Sequence, residues 1–286
     1  MFITATGVIK RSIDVYRANF GSLMRSVGLL FLFVIVAALI LFVGIGGIFG
    51  TQLSRGTEVE NLLGVLSGSL ITFLVIWAIV LFVFSFWLNI AFMRTVSRAV
   101  LNQPKIGIGE ELKNSRSLIG RSLGTTILVS LITMLPFVIG LFGWVSVHSM
   151  FLRGGSGIVF GASNVIATLL ALYGFFHMFY FSIRFCFSNL AVIVDGCGIK
   201  EAMKKSSALV RGRWWGIFGR ILLPVLALLV PYYLGAFLSQ VQGFVGIFFA
   251  LVTFVYYIFC LIPLAMIPSQ VLYVSAKEFG VHPKAQ

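Results

Sequence analysis

The sequence predicts an all-α polytopic membrane protein: six transmembrane helices built as three helical-hairpin repeats, each preceded by a short amphipathic helix at the cytoplasmic surface. Three observations carry that expectation. Hydrophobic residues make up 59% of the chain and charged residues 10%, where soluble domains carry roughly 25% charged residues. Six apolar runs follow one another along 286 residues. A basic, serine-centred pattern recurs before the first, third and fifth of them.

The runs are Ser26–Gly46, Leu70–Phe92, Leu123–Val145, Asn164–Ile183, Trp214–Phe237 and Phe244–Ile267. Each holds about 20 residues almost free of charge, the length an α-helix needs to cross roughly 30 Å of hydrocarbon. Six such spans leave little chain for anything else, so residues 1–286 are expected to form one integral membrane domain. Its repeats run approximately over 5–100, 101–195 and 196–280. The stretch before the first run is amphipathic and basic rather than a short apolar core followed by small residues, so no cleavable signal is expected there.

Charge sets the topology. Of the 21 Lys and Arg, 19 fall in the N-terminus, the loops after the second and fourth spans, and the C-terminus. Only Arg55 and Arg153 fall on the other side. This asymmetry is the positive-inside pattern and predicts cytoplasmic termini in a bacterial inner membrane. It also accounts for the net charge of +13 as topology and attraction to anionic headgroups, so nucleic acid is not an expected partner. Cys186, Cys197 and Cys260 are scattered, lack a CxxC spacing and read as small apolar fillers.

The repeat is visible in "KRSIDVYRANFGSL" (Lys10–Leu23). With Ser12 over Ser206, Lys10 falls on Lys204, Arg11 on Lys205, Val15 on Leu209, Arg17 on Arg211 and Phe20 on Trp214. A third copy, "GIGEELKNSRSLIGRSL", sets Ser115 in the same register and aligns Gly107-Ile108-x-Glu110 with Gly198-Ile199-x-Glu201. Ile9, Ile13, Tyr16 and Phe20 fall at i, i+4, i+7 and i+11, one stripe of a helix. The equivalent stripes are Leu112, Arg116, Ile119 and Leu123, then Met203, Ser207, Val210 and Trp214. Each segment thus reads as an interfacial helix, lysines toward phosphate and stripe toward acyl chains or neighbouring spans. Asp195-Gly196 supplies the turn before the third copy, and Trp214 with Trp215 sits where an aromatic belt belongs.

The candidate lipid- or partner-binding residues are therefore Lys200, Lys204, Lys205, Arg211, Arg213, Trp214 and Trp215, with Lys10, Arg11 and Arg17 of the first copy. The even-numbered spans run on past the bilayer as Ser69–Val100, Asn164–Val194 and Phe244–Lys277, so they tilt, kink or extend into the cytoplasm. Arg94 and Arg184 mark the exit. Pro224 and Pro231 are expected to bend the fifth span and Pro263 and Pro268 the sixth.

The run "SIRFCFSNLAVIVDGCGIKEAMKKSSALVRGRWWGIFG" resembles the membrane domain of glycerophosphoryl diester phosphodiesterases and the bacterial six-helix proteins of the YciC-like group. The resemblance rests on Arg184-Phe185-x-Phe187, Val194-Asp195-Gly196, Glu201-Ala202, Ser206, Leu209, Gly212 and Trp215. The opening "IKRSIDVYRANFGSLM" resembles that family's first helix. It implies a six-helix membrane module. In the fused relatives a separate soluble domain does the chemistry, and six spans leave no room for one here, so the activity is not expected to carry over.

Other candidate chemistry is sparse. None of the eight acidic residues lies inside a predicted span, which argues against an ion-coupled carrier. His177 is the one ionisable group well inside a span, with Asn89 and Gln240 as conceivable polar neighbours; a neutral histidine bonded to a neighbouring helix, or near a water-filled cleft, is the simpler reading. "GGSG" at Gly154–Gly157 fits a rhomboid-protease motif by letters, but His177 lies about 30 Å of helix away and the sequence marks no residue to orient His148 for catalysis. The GxxxG pairs, Gly46–Gly50, Gly64–Gly68, Gly120–Gly124, Gly157–Gly161 and Gly212–Gly216, allow close packing without defining a dimer. No nucleotide, cofactor or metal motif is present. The expected function is non-enzymatic: a membrane protein that binds lipid, or a protein partner or a second copy of itself, and helps organise the membrane. A channel or carrier for an uncharged or lipidic substrate is the alternative.

Overall fold

The structure is a computed structural model of the chain and describes residues 3–54, 59–152 and 158–280. In chain order the helices are α1 (Ala5–Ala18), α2 (Phe20–Ser54), α3 (Val59–Val100), α4 (Ile108–Ser115), α5 (Ile119–Leu152), α6 (Ile158–Arg184), α7 (Ser188–Asp195), α8 (Ile199–Val210), α9 (Trp214–Leu238), α10 (Phe244–Tyr256) and α11 (Ile262–Gly280). A 3₁₀ turn, Arg116–Leu118, joins α4 to α5, and a π-turn, Tyr257–Leu261, joins α10 to α11. No strand occurs among the described residues. Six helices are long and apolar enough to cross a membrane, so the chain is an all-α polytopic membrane protein. Arg55, Arg153 and the Gly154–Gly157 loop lie outside the described residues.

Sequence register carries into helix register. Thr4, Gly107 and Gly198 stand at the same distance before Ser12, Ser115 and Ser206, and each is the N-cap of a short helix. Their extended backbone feeds the first turn; Thr4 adds a side-chain cap to the Gly7 N–H at 3.1 Å, and Glu110 and Glu201 supply first-turn acids to α4 and α8. The three serines are buried at 3%, 0% and 0% exposure. The short helices therefore seat the same face on the protein. In α1 that face is Val8 and Ser12, in α8 Ala202, Ser206 and Val210. Ile13 and Phe20 of the predicted stripe lie beside it and remain exposed.

The spans and their extensions differ in packing. Along the spans, large apolar side chains stay open, Phe42 at 79%, Phe142 at 73% and Phe244 at 81%. Acyl chains accept such a surface and water penalises it. At the basic end the overlong even-numbered spans build a core instead. Phe92, Val96 and Val100 of α3, Leu190 and Val192 of α7, and Ile267, Val271 and Tyr273 of α11 are buried there with Val8, Ala202 and Val210. Each short helix lies on one of these extensions: α4 on α3, α8 on α7 and α1 on α11. That order closes a ring.

The first and second spans pair, as do the third and fourth and the fifth and sixth, and α5 with α6 most extensively. Glycine makes this possible at two points. A Cβ on Gly140 would stand 2.7 Å from the Leu170 carbonyl oxygen, and one on Gly174 would stand 2.6 Å from the Pro136 carbonyl oxygen. Neither belongs to the GxxxG pairs singled out in the sequence. At two of the prolines in the spans, a side chain takes the place of the missing N–H. Pro136 has no N–H to offer the Ile132 carbonyl, one turn back. His177 Nε2 donates to that carbonyl at 3.0 Å, so Nε2 carries a proton. Pro263 likewise frees the Phe259 carbonyl within the π-turn, and the Tyr16 hydroxyl of α1 donates to it.

Candidate basic groove

The fourth span stops at Arg184 and the chain turns through Phe185–Phe187 before α7. A broken helix leaves backbone groups unpaired, and these must find partners. Ser206 of α8 supplies them: its hydroxyl donates to the Arg184 carbonyl at 2.9 Å and accepts from the Phe187 N–H at 3.1 Å. Its neighbour Ser207 accepts from Arg184 Nε at 2.8 Å. Two adjacent serines thus stitch α8 along the break.

Asp195 fixes the other end of this junction. It closes α7, and Gly196, at φ 68°, takes the left-handed cap that favours glycine. Asp195 Oδ2 accepts from Lys205 and, at 2.5 Å, from the Tyr273 hydroxyl, while Oδ1 accepts from Lys277 at 2.8 Å. Arg121 of α5 donates to the Gly196 carbonyl at 3.1 Å. One carboxylate therefore ties α7, α8 and α11 together.

With Ser206 and Lys205 turned inward, the other side of α8 faces an open groove of about 950 Å³. Lys200, Lys204, Arg211 and Arg184 line it beside Leu128, Tyr180, Met203 and Trp214, and no described carboxylate does. Arg184 is held in place twice, by Ser207 and by the Phe181 and Phe185 rings, 5.5 and 6.0 Å from its guanidinium carbon. Trp214 Nε1 donates to the Tyr180 carbonyl at 3.1 Å, and its ring stacks on Tyr180 and Phe218. The arrangement can hold an anion at a charged rim with an apolar wall behind it.

No protein-family model, curated protein or solved structure matches this chain. Its residues must speak for themselves. The structure brings Lys200, Lys204, Arg211 and Trp214 to one groove. Lys205 belongs to the Asp195 cluster, Arg213 precedes α9 as its N-cap residue, and Trp215 points outward at 74% exposure. Lys10, Arg11 and Arg17 sit on α1. His177, Asn89 and Gln240 do not converge: His177 serves Ile132, Asn89 is half-buried on α3, and Gln240 is exposed in the turn after α9.

Two polar centres escaped sequence reasoning. Glu111 of α4 is 1% exposed, and its Oε1 lies 3.2 Å from Arg98 Nε and 3.6 Å from Arg94 Nε. Arg94 thus meets a carboxylate where an exit to headgroups was expected. The serine register holds a signal for this pair. Glu111 occupies the position of Val8 and Ala202, and a carboxylate at a core position requires a cationic partner. The second centre is Gln270, which accepts from Ser97 at 2.7 Å and donates to the Met93 carbonyl at 3.1 Å. Gln270 carries no pattern in the sequence that marks it. Among the described residues, no group of three His, Cys, Asp or Glu side chains could hold a metal ion.

Proposed function

We propose that this chain is a non-enzymatic membrane protein of the bacterial inner membrane, both termini cytoplasmic, that associates with acidic phospholipid along its basic face and organises the membrane around it. The observation that supports this most is the groove beside α8. The described ion pairs use Arg94, Arg98, Lys205 and Lys277 and leave Lys200, Lys204 and Arg211 facing outward. Each cation near an anionic bilayer surface contributes about 1 kcal/mol of attraction. The ring of short helices on span extensions supports reading the chain as three related helix-plus-hairpin units. The resemblance to phosphodiesterase membrane domains fits a module of this kind.

The reading is tested by purifying the protein in mild detergent and quantifying the lipids that accompany it across a salt series. Enrichment of acidic over zwitterionic lipid that weakens with ionic strength supports it, since exposed charges are screened within about 10 Å at ordinary salt. Equal recovery of both classes at every salt concentration counts against it. Orientation has its own test. Cysteines placed at Arg55 and Arg153 should react with an impermeant thiol reagent on intact cells, and cysteines at Lys105 and Lys204 should not. Outside labelling at Lys204 would overturn the assignment.

A further inference from the structure

We propose that the α8 groove is a discrete site for one acidic glycerophospholipid per chain, its phosphate held among Lys200, Lys204 and Arg211, and that it excludes lipids with a cationic headgroup. This deepens the acidic-lipid reading and rests on it. A diffuse basic face would attract many anionic lipids weakly; the groove offers something narrower. Lys200 and Lys204 stand one helical turn apart on α8, so their ammonium groups share a face. Arg211 follows in the turn after the helix and lines the same space. Arg184 is fixed by Ser207 and two aromatic rings, and a cation already held loses little freedom when an anion arrives. Leu128, Tyr180, Met203 and Trp214 supply the apolar wall along which a glycerol and acyl chain can lie.

Selectivity follows from what faces the headgroup. The ammonium of phosphatidylethanolamine needs an acceptor, and no described carboxylate lines the groove. The nearest acid along the chain before α8, Asp195, is engaged by Lys205, Lys277 and Tyr273. Within the lining an ethanolamine group would therefore meet Lys200, Lys204, Arg211 and Arg184 and no carboxylate; Glu201, beside Lys200 on α8, stands outside it. A glycerol headgroup carries no charge to repel.

The stoichiometry follows from the other two junctions. Where α1 meets α9, a crevice of about 520 Å³ is lined by Ala5, Thr6, Ile9, Leu223, Leu226 and Pro231 among others, with no charged side chain. It can shelter acyl chain but cannot bind phosphate. Where α4 meets α3, Glu111 engages Arg94 and Arg98, and the crevice beside Glu111 and Arg98 is about 20 Å³, room for about one water. Of these three spaces, the α8 groove alone combines room for a headgroup with cations that no carboxylate engages.

The test uses the full chain in bilayer nanodiscs of phosphatidylethanolamine with a minority of phosphatidylglycerol, released into native mass spectrometry. The wild type should retain one phosphatidylglycerol. K200Q/K204Q/R211Q should reduce that retention about tenfold or more. The control K10Q/R11Q/R17Q removes the same formal charge from α1 and should retain within about twofold of wild type. R211Q alone, in an exposed turn, repeats the comparison with the fold least disturbed. Equal losses in groove and control variants would show diffuse attraction: the discrete site falls while the acidic-lipid reading stands. No loss in either removes both. Equal retention of phosphatidylethanolamine by the wild type overturns the headgroup selectivity.

Discussion

The α1 crevice and the α8 groove occupy corresponding places, each between a short helix and a span that it packs against, yet they present opposite chemistry. Thr6 and Lys200 stand in the same register before Ser12 and Ser206, as do Ile9 and Met203, Lys10 and Lys204, and Arg17 and Arg211. The registers agree and the attachments do not. α1 is tied into the spans: Tyr16 donates to the Phe259 carbonyl, and Arg220 of α9 donates to the Ile3 carbonyl at 2.5 Å. α8 is tied to span extensions through Ser206, Ser207 and the Lys205–Asp195 pair. One set of ties draws the helix against apolar surface. The other spends its polar contacts on the inner side and leaves lysines outward. The same sequence register thus carries a greasy crevice in one place and a charged groove in the other.

The largest effect expected from breaking this comparison falls on Trp214. Its ring touches Tyr180, Phe179 and Phe218 and its N–H is bonded, so it is the post on which the groove wall stands. Trp214→Ala should cost about 3 kcal/mol, the low end of the range for buried aromatic truncations because Trp214 is half-buried. Trp215→Ala should change stability by less than about 0.5 kcal/mol, as outward positions do. Thermal unfolding in detergent distinguishes them; equal losses would show that the adjacent tryptophans act as one belt.

The third junction comes next. Glu111→Ala leaves Arg94 and Arg98 facing a core without their carboxylate. Breaking a buried pair costs about 3–5 kcal/mol, discounted to about 2–3 here because the arginine side chains are 21% and 25% exposed. If the sealed state of α4 depends on this pair, the variant should also gain acidic-lipid retention through the released arginines. Destabilisation without any gain in lipid would show that the pair does not suppress a lipid site.

Tyr16→Phe probes the opposite attachment. It removes the donor to the carbonyl that Pro263 frees, at about 1 kcal/mol for one hydrogen bond. Amide exchange should quicken around residues 257–263 and not around α8. Faster exchange at both would mean that the two helices are not independently anchored.

How much of this was legible beforehand depends on the kind of force involved. The spans could be read because hydrocarbon thickness fixes a length and a composition. The register of the short helices could be read because Ser12, Ser115 and Ser206 recur, and all three turn out buried. The groove was only half legible. Lys200 and Lys204 were in view, but Lys205 looked like a third member until Asp195, ten positions earlier in the chain, claimed it. Arg184 was expected to reach headgroups and lines the groove, yet Ser207 as its anchor depends on the helix break at Phe185–Phe187. Composition does not announce such breaks. For His177 a bond to a neighbouring helix is one of the readings the sequence offers; its proline-freed acceptor, Ile132, emerges only from the pairing of α5 with α6.

The smallest expected effect is the sharpest test of what separates crevice from groove. On α1, Lys10 already occupies the register of Lys204 and Arg17 that of Arg211. Thr6, at the register of Lys200, is the remaining difference among the three phosphate-holding positions. Thr6 is exposed, and its hydroxyl meets only the Thr4 hydroxyl, at 3.2 Å, so Thr6→Lys should leave the fold intact. The new ammonium would enter a crevice of about 520 Å³ that can already shelter an acyl chain. One cation near an anionic surface is worth about 1 kcal/mol, or about fivefold in occupancy. Native mass spectrometry should then show a minor population carrying a second phosphatidylglycerol, suppressed by raised salt and abolished when K10Q is added. An unchanged lipid count would mean that the greasy wall of Leu223, Leu226 and Pro231, rather than the missing charge, is what keeps phosphate out.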